Sequence, residues 1–425
     1  MNLDFKKMFI SLLLVGLIFS FFAYTGRAAP SLPELNIYPE EVNNGERLLE
    51  EMANSRFVLL GEASHGTEEY YRWRRIISKN LVQENEVGYI AVEGDWGALQ
   101  RLNEYVKGRI EADSASEITE QFERWPTWMW SNRQVNKLAD WLKKYNEERE
   151  PKNRVGIYGF DIYGTEDTLD WFKENFEDPT PPVQEAVDCF AAVGGEGRRY
   201  AQQHQFTGYS CADEIEAMYS ELKKKTHSSR EKFLAHQHAS VLKHAEEFYR
   251  RQGERGPEGW NARVRHMKNT VSRLNRFHDE KIGIGWAHNT HMGDARATAM
   301  QYQGRENMGQ LLRENYPEDV YILGFGTARG EVKAGRQWEA EGEIMQIPEP
   351  AANSVEKYLD GVEVEDPYLI FTKDLPAGHR LRETLGHRAI GVVYDPAQDS
   401  RNFVPTVLSE RYDAFIFFRQ TESIQ

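Results

Sequence analysis

Eight apolar runs punctuate this chain, and each is continuous where a half-exposed strand would alternate. They are Phe57–Gly61, Tyr89–Glu93, Val155–Asp161, Ile282–Trp286, Val320–Gly326, Tyr368–Phe371, Ala389–Tyr394 and Ala414–Phe418. A strand with one face in water carries polar residues at every second position; a strand covered on both faces does not. Such runs predict a mostly parallel sheet sandwiched between helices. Glu68–Gln83, Gly97–Lys107 and Val135–Glu147 have helical spacing and separate the early runs. Alternation of strand and helix is the pattern of a three-layer α/β fold, with a central sheet flanked by helices. From about Pro181 to Phe277 the strand signal stops. There Glu214–Lys224, Ser229–Arg251 and Asn261–Arg276 read as helices. Strands resume at Ile282, so this stretch is expected to be a helical cap inserted into one domain of residues 30–425.

Residues 1–29 differ from the rest. Lys6 and Lys7 precede an apolar run, Met8–Tyr24, and Arg27, Ala28, Ala29 and Pro30 follow. That order is the order of a secretory signal. The run is also just long enough to span a membrane, so an uncleaved anchor is the rival reading. Either way the folded part is expected outside the cytoplasm, secreted or tethered, with membrane contact through this segment alone. Cys189 and Cys211 suit an oxidising compartment, but their spacing leaves a disulfide and two free thiols equally open. The net charge of −15 argues against a nucleic-acid partner. The short basic clusters Lys223–Lys225 and Arg263–Arg265 read as solvated helix faces.

The chemistry-bearing residues fall at one kind of place. Glu62 and His65 follow the first run, Glu93 ends the second and Asp161 ends the third; His288 and His291 follow the fourth. Ligands of open α/β sheets bind beyond the carboxyl ends of the strands. Were these strands parallel neighbours, the ionisable groups would share one cleft. His65 with Glu62 three residues away can form an oriented general base, since a carboxylate fixes a tautomer and favours the charged ring. His288 and His291 can serve as acid and base, as metal ligands or as a loop cap. Glu93 can act in the cleft or pair with Arg74 or Arg75. Asp161 is either a cap or a substrate contact. Trp128 and Trp130 are either core or the wall of an apolar site. Asp161, Trp128 and Trp130 are carried as candidate substrate-binding residues. Ser64 lacks the leading glycine of a nucleophile elbow, because Glu62 stands there. There is no dinucleotide fingerprint, no phosphate-binding loop and no zinc-protease helix motif.

Several segments together resemble the erythromycin esterase family. They are Leu60–Glu69 (LGEASHGTEE), Ala91–Trp96 (AVEGDW), Trp125–Trp130 (WPTWMW), Tyr158–Asp161 (YGFD), Trp260-Asn261 with His266-Met267, and Trp286–Met292 (WAHNTHM). The resemblance runs from about Phe57 to Phe418. It implies a hydrolase of carboxylic esters, with a small-molecule substrate such as a macrolide and no cofactor or metal. It places a water-activating base on His65 and its glutamate on Glu62. It places the family's arginine on Arg74, the second glutamate on Glu93, and the histidine pair on His288 and His291. One departure is Arg263-Val264-Arg265 before His266-Met267, where similar proteins often carry Arg-Asp. Two other readings compete. One is a metal-dependent hydrolase using His65, His288, His291 and a glutamate. The other is an extracytoplasmic protein that binds haem or another ligand.

Overall fold

The computed structural model describes residues 45–224, 229–252, 254–363 and 366–425, so the N-terminal leader lies outside the described residues. Ten strands are present among them: β1 (Phe57–Leu60), β2 (Val87–Asp95), β3 (Gly156–Asp161), β4 (Ile282–Trp286), β5 (Val320–Ala334), β6 (Glu343–Ile347), β7 (Tyr368–Phe371), β8 (Thr384–Arg388), β9 (Phe403–Val407) and β10 (Ala414–Thr421). The main sheet runs β3-β2-β4-β1-β5-β10-β7, with β6 paired to the far end of β5. All neighbours from β3 to β10 are parallel; β7 and β6 pair antiparallel. This is the mostly parallel sheet expected from the continuous apolar runs.

The alternating residues of β1 show why those runs carry no polar face. Val58 and Leu60 join a core with Ile77, Leu81 and Leu138 from the helices Glu68–Glu84 and Arg133–Glu147. Phe57 and Leu59 join a second core with Met267, Val271 and Leu274 of the helix Glu258–Phe277 and Leu312 of Met308–Asn315. Every strand residue from Phe57 to Leu60 is fully buried. Between β3 and β4, the described residues hold only helices. Those from Pro181 to Arg250 pack mostly on one another around Phe190, Tyr200, Met218 and Leu242. Cys189 and Cys211 are bonded to each other, tying the helix Pro181–Ala191 to the start of Ala212–Lys223.

One sequence expectation changes, and three strands appear that the apolar runs did not mark. Ala389–Tyr394 is not a strand: it makes only isolated bridges, Ile390 to Ser64 and Val393 to Gly335. Its apolar residues serve other ends. Ile390 and Tyr394 fill a small core with Val332 and Met345, while Ala389, Gly391 and Val392 line a cleft. β6, β8 and β9 carry no continuous run, because their residues are partly exposed. The outer end of β5 likewise switches to alternating burial where it pairs with β6.

Candidate active site

The order β3-β2-β4-β1 makes neighbours of the four strands whose ends carry ionisable residues. Their carboxyl ends meet at a cleft of about 480 Å³, with His65, Glu93, Asp161, Arg263, His288 and His291 in its wall. Strand order reverses here: the chain leaves β1, builds β2 and β3 further out, then returns through β4 between β2 and β1. Such crevices are where open α/β sheets place their ligands.

The turn after β1 presents Glu62 and His65. It has no room for larger residues: a Cβ on Gly66 would lie 1.9 Å from the carbonyl oxygen of Lys333. His65 Nδ1 lies 2.9 Å from Glu62 Oε1, and Arg74 Nη2 donates to Glu62 Oε2 at 2.6 Å. Glu62 and Arg74 are fully buried. The Arg74 guanidinium also faces the rings of Tyr71 and Trp286, 4.3 and 5.0 Å from their centres. A carboxylate can only accept, so Nδ1 carries the hydrogen and the Nε2 lone pair of His65 is left for the cleft. Burial works against a charged His65, but the Glu62 hydrogen bond and the charges of Glu93 and Glu62 outweigh it and raise its pKa. Ser64 is buried and its hydroxyl meets that of Thr67.

His288 is arranged the opposite way. Its Nδ1 accepts from the Thr290 backbone N–H at 3.2 Å and contacts the Thr290 hydroxyl at 2.8 Å. A backbone amide can only donate, so a neutral His288 carries its hydrogen on Nε2. That nitrogen is buried without a hydrogen-bond partner. Burial, then the neighbouring His65, push the His288 pKa well below the ordinary value; Glu93 and the Ala63 backbone pull back too weakly to reverse this. The His65 and His288 rings stand 4.9 Å apart. The ring with the open lone pair and the ring with the buried N–H thus stand side by side in the cleft wall.

Glu93 ties the loops together. Its Oε2 accepts the His288 backbone N–H at 2.9 Å; its Oε1 lies 2.9 Å from Arg263 Nη2 and 3.2 Å from His291 Nε2. Burial alone would raise Glu93, but His291, His65 and Arg263 hold it well below the usual carboxylate range. Arg263 also grips Asp161 through Nε at 2.8 Å and Nη2 at 2.6 Å. His291 Nε2 is 3.2 Å from Arg263 Nη1 as well, and its ring stacks on Trp260 at 4.7 Å. Glu93 pairs with neither Arg74 nor Arg75; Arg75 bonds Gln134.

Arg263 corrects the sequence reading of its cluster as a solvated face. Only Arg265 faces outward, where it pairs with Glu306. Arg263 is buried because its helix lies against β3 and β4, and it carries two carboxylates. Its position three residues before His266 and four before Met267, both buried, was the signal that it shares the inward face. Trp128 and Trp130 sit in the core, where Trp130 Nε1 donates to the Glu93 carbonyl at 3.0 Å. From that segment Pro126 and Met129 line the cleft. Arg124, paired with Asp95, and Tyr163, whose ring centre lies 4.9 Å from both the Arg124 and Arg263 guanidinium carbons, also line it. Sequence reasoning singled out neither. Among the described residues, no three His, Cys, Asp or Glu side chains are grouped to hold a metal ion. Glu93 is already engaged on both oxygens.

The sequence matches the model of a family described as erythromycin esterase over residues 82–421. The chain belongs to the erythromycin esterase family. Solved structures agree on the fold. A structure described as a succinoglycan biosynthesis protein superposes with a TM-score of 0.76 at 18% identity, covering 92% of this chain and 95% of that one. A Bacillus cereus protein gives 0.75 at 18% identity over 90% and 93%. A histidine-to-asparagine mutant of the erythromycin esterase EreC, in its open conformation, gives 0.67 at 21% identity over 89% and 94%. Family membership implies esterase or hydrolase activity on a small molecule.

Proposed function

We propose that this erythromycin esterase family member hydrolyses a carboxylic ester by water activated at His65, and that its substrate is a macrolide lactone. The observation that carries this reading is the complementary pair of tautomers, His65 with a free Nε2 lone pair and His288 with an unused Nε2–H. His65 takes a proton from water as the water oxygen attacks the ester carbonyl. The carbonyl oxygen becomes an oxyanion and accepts from His288 Nε2–H, a donor already placed and already shielded from solvent. Collapse breaks the bond to the alkoxide, which takes the proton from His65, leaving acid and alcohol. Glu62 supports the His65 imidazolium during the step, and Arg74 holds Glu62. Glu93 orients the His288 loop by accepting its backbone N–H. His291 and Arg263 fix Glu93, and Arg263 fixes Asp161 beside the substrate.

The cleft walls support a bulky, largely apolar substrate: Met129, Trp260, Met300 and Trp338 line it together with the histidines. The apolar leader and the Cys189–Cys211 bond support a location outside the cytoplasm. Purified protein incubated with erythromycin and a panel of simple esters tests the reading by mass spectrometry. The expected result is a product heavier by one water, absent with His65→Ala. Turnover of simple esters alone would discard the macrolide. Activity retained in His65→Ala would discard the base.

A further inference from the structure

A second cavity, of about 330 Å³, opens at the opposite end of the sheet. It is lined by Val87 at the start of β2, by Pro151–Arg154 just before β3, and by His278–Lys281 just before β4, omitting Glu280. A strand of five residues separates it from the cleft, roughly 16 Å at the usual rise. Its charge is unlike that of the rest of this acidic protein. Lys107, Arg109, Lys152, Arg154, Arg230 and Lys281 all line it. Glu104 engages Arg109 and Arg230, and the exposed Asp279 is the carboxylate in the lining. The other four cations have no carboxylate partner among the described residues. Arg154 bonds the carbonyls of Lys107 and Arg149, and Lys281 reaches only Asn153 Oδ1, at 3.3 Å.

Lys107 is the decisive group. It is 5% exposed, and its ammonium donates to Tyr158 Oη at 3.1 Å, with Tyr158 in turn 3.0 Å from His278 Nε2. An ammonium has three hydrogens to donate, and the neutral hydroxyl satisfies one. A buried charge is costly unless it is paired and hydrogen-bonded. Among the described residues no carboxylate pairs it; the ammonium meets only the hydroxyl and, at 5.6 Å, the ring of Tyr158. His278 does not add to the charge, because burial and then Lys107 and Lys281 push its pKa well below the ordinary value. One wall is aromatic: Phe277, 36% exposed, stacks on Phe233 with ring centres 3.9 Å apart.

We propose that this cavity binds a small phosphorylated molecule, its phosphate between Lys107, Arg154 and Lys281 and a flat ring against Phe277. The site stands apart from the catalytic cleft and does not depend on the ester reading. Isothermal titration calorimetry on the full chain tests it with three probes: inorganic phosphate, pyrophosphate and ATP. One-to-one saturable binding is expected, tightest for ATP. It should weaken at least tenfold in Lys152→Glu/Lys281→Glu, an exposed and half-exposed pair whose change leaves ester turnover intact. Lys107→Met should weaken it equally while circular dichroism reports an unchanged fold; if that variant does not fold, the double variant decides alone. Binding of none of the probes, binding that survives the double variant, or binding only to anionic lipid vesicles would overturn the proposal.

Discussion

Two of the buried glutamate–histidine pairs among the described residues, both made through the histidine Nδ1, have opposite fates. In the cleft, Glu62 holds His65 Nδ1 at 2.9 Å. Between the helix Val355–Asp360 and β8, Glu356 holds His387 Nδ1 at 2.6 Å. Both glutamates are fully buried. The second ring, however, has no free nitrogen, since Asn289 Nδ2 donates to His387 Nε2 at 3.3 Å. Asn289 also passes its backbone N–H to the Glu62 carbonyl at 2.7 Å, so the sealed pair anchors the loop that presents His288. Electrostatics diverge in the same sense. His65 sits beside a second carboxylate, Glu93, and its pKa is raised. For His387, burial outweighs the pull of Glu356, with Arg411 and Arg388 adding to the effect, and its pKa is lowered. A glutamate beside a histidine does not make a base; an open nitrogen and the net charge around it do.

The largest effect that separates the pairs is catalytic. His65→Ala should lower turnover by about 10²–10⁴, the usual worth of a positioned base, with little change in melting temperature. His387→Ala should do the reverse, because it leaves the Glu356 carboxylate buried with one partner fewer. Its expected cost is roughly 3 kcal/mol of stability, read by denaturant unfolding. A His387→Ala protein that lost turnover at full stability would break the comparison.

Stability against pH should separate the two rings by sign. The raised His65 contributes stability that is complete below its unfolded pKa, near roughly 6.5, and is lost as pH rises through the folded value. The lowered His387 does the opposite. The unfolded chain binds its proton more readily, so stability falls as pH drops below about 6.5 towards the folded value. Thermal melts of wild type and His387→Ala from pH 5 to 8 on the order of half-unit steps would show the acid-side slope shrinking in the variant.

Activity has its own pH signature. The base must be neutral, so kcat/KM should fall on acidification through a value raised above that of an ordinary histidine. Glu62→Gln removes one of the two carboxylates that raise it and should move that limb to lower pH, with a smaller loss of turnover than His65→Ala. An unmoved limb would mean that another group titrates. The smallest effect is expected at Thr290→Ala. The backbone N–H still fixes the His288 tautomer, so the hydroxyl should be worth about 1 kcal/mol or less, under about tenfold in turnover.

Much of this was legible in the chain. Continuous apolar runs require cover on both faces, and that alone gives a helix-flanked, mostly parallel sheet. Placing Glu62, His65, Glu93, Asp161, His288 and His291 directly after such runs gives them one edge of the sheet, because parallel strands end on the same side. Local sequence did not decide which groups meet. Arg263 looked like a surface cation until its helix lay against the sheet and turned it towards Glu93 and Asp161. Ala389–Tyr394 looked like a strand, since apolarity reports burial and not hydrogen bonding. The open and the sealed glutamate–histidine pairs cannot be told apart by composition. Strand order sets the difference, because it brings Asn289 against one ring and a cleft against the other.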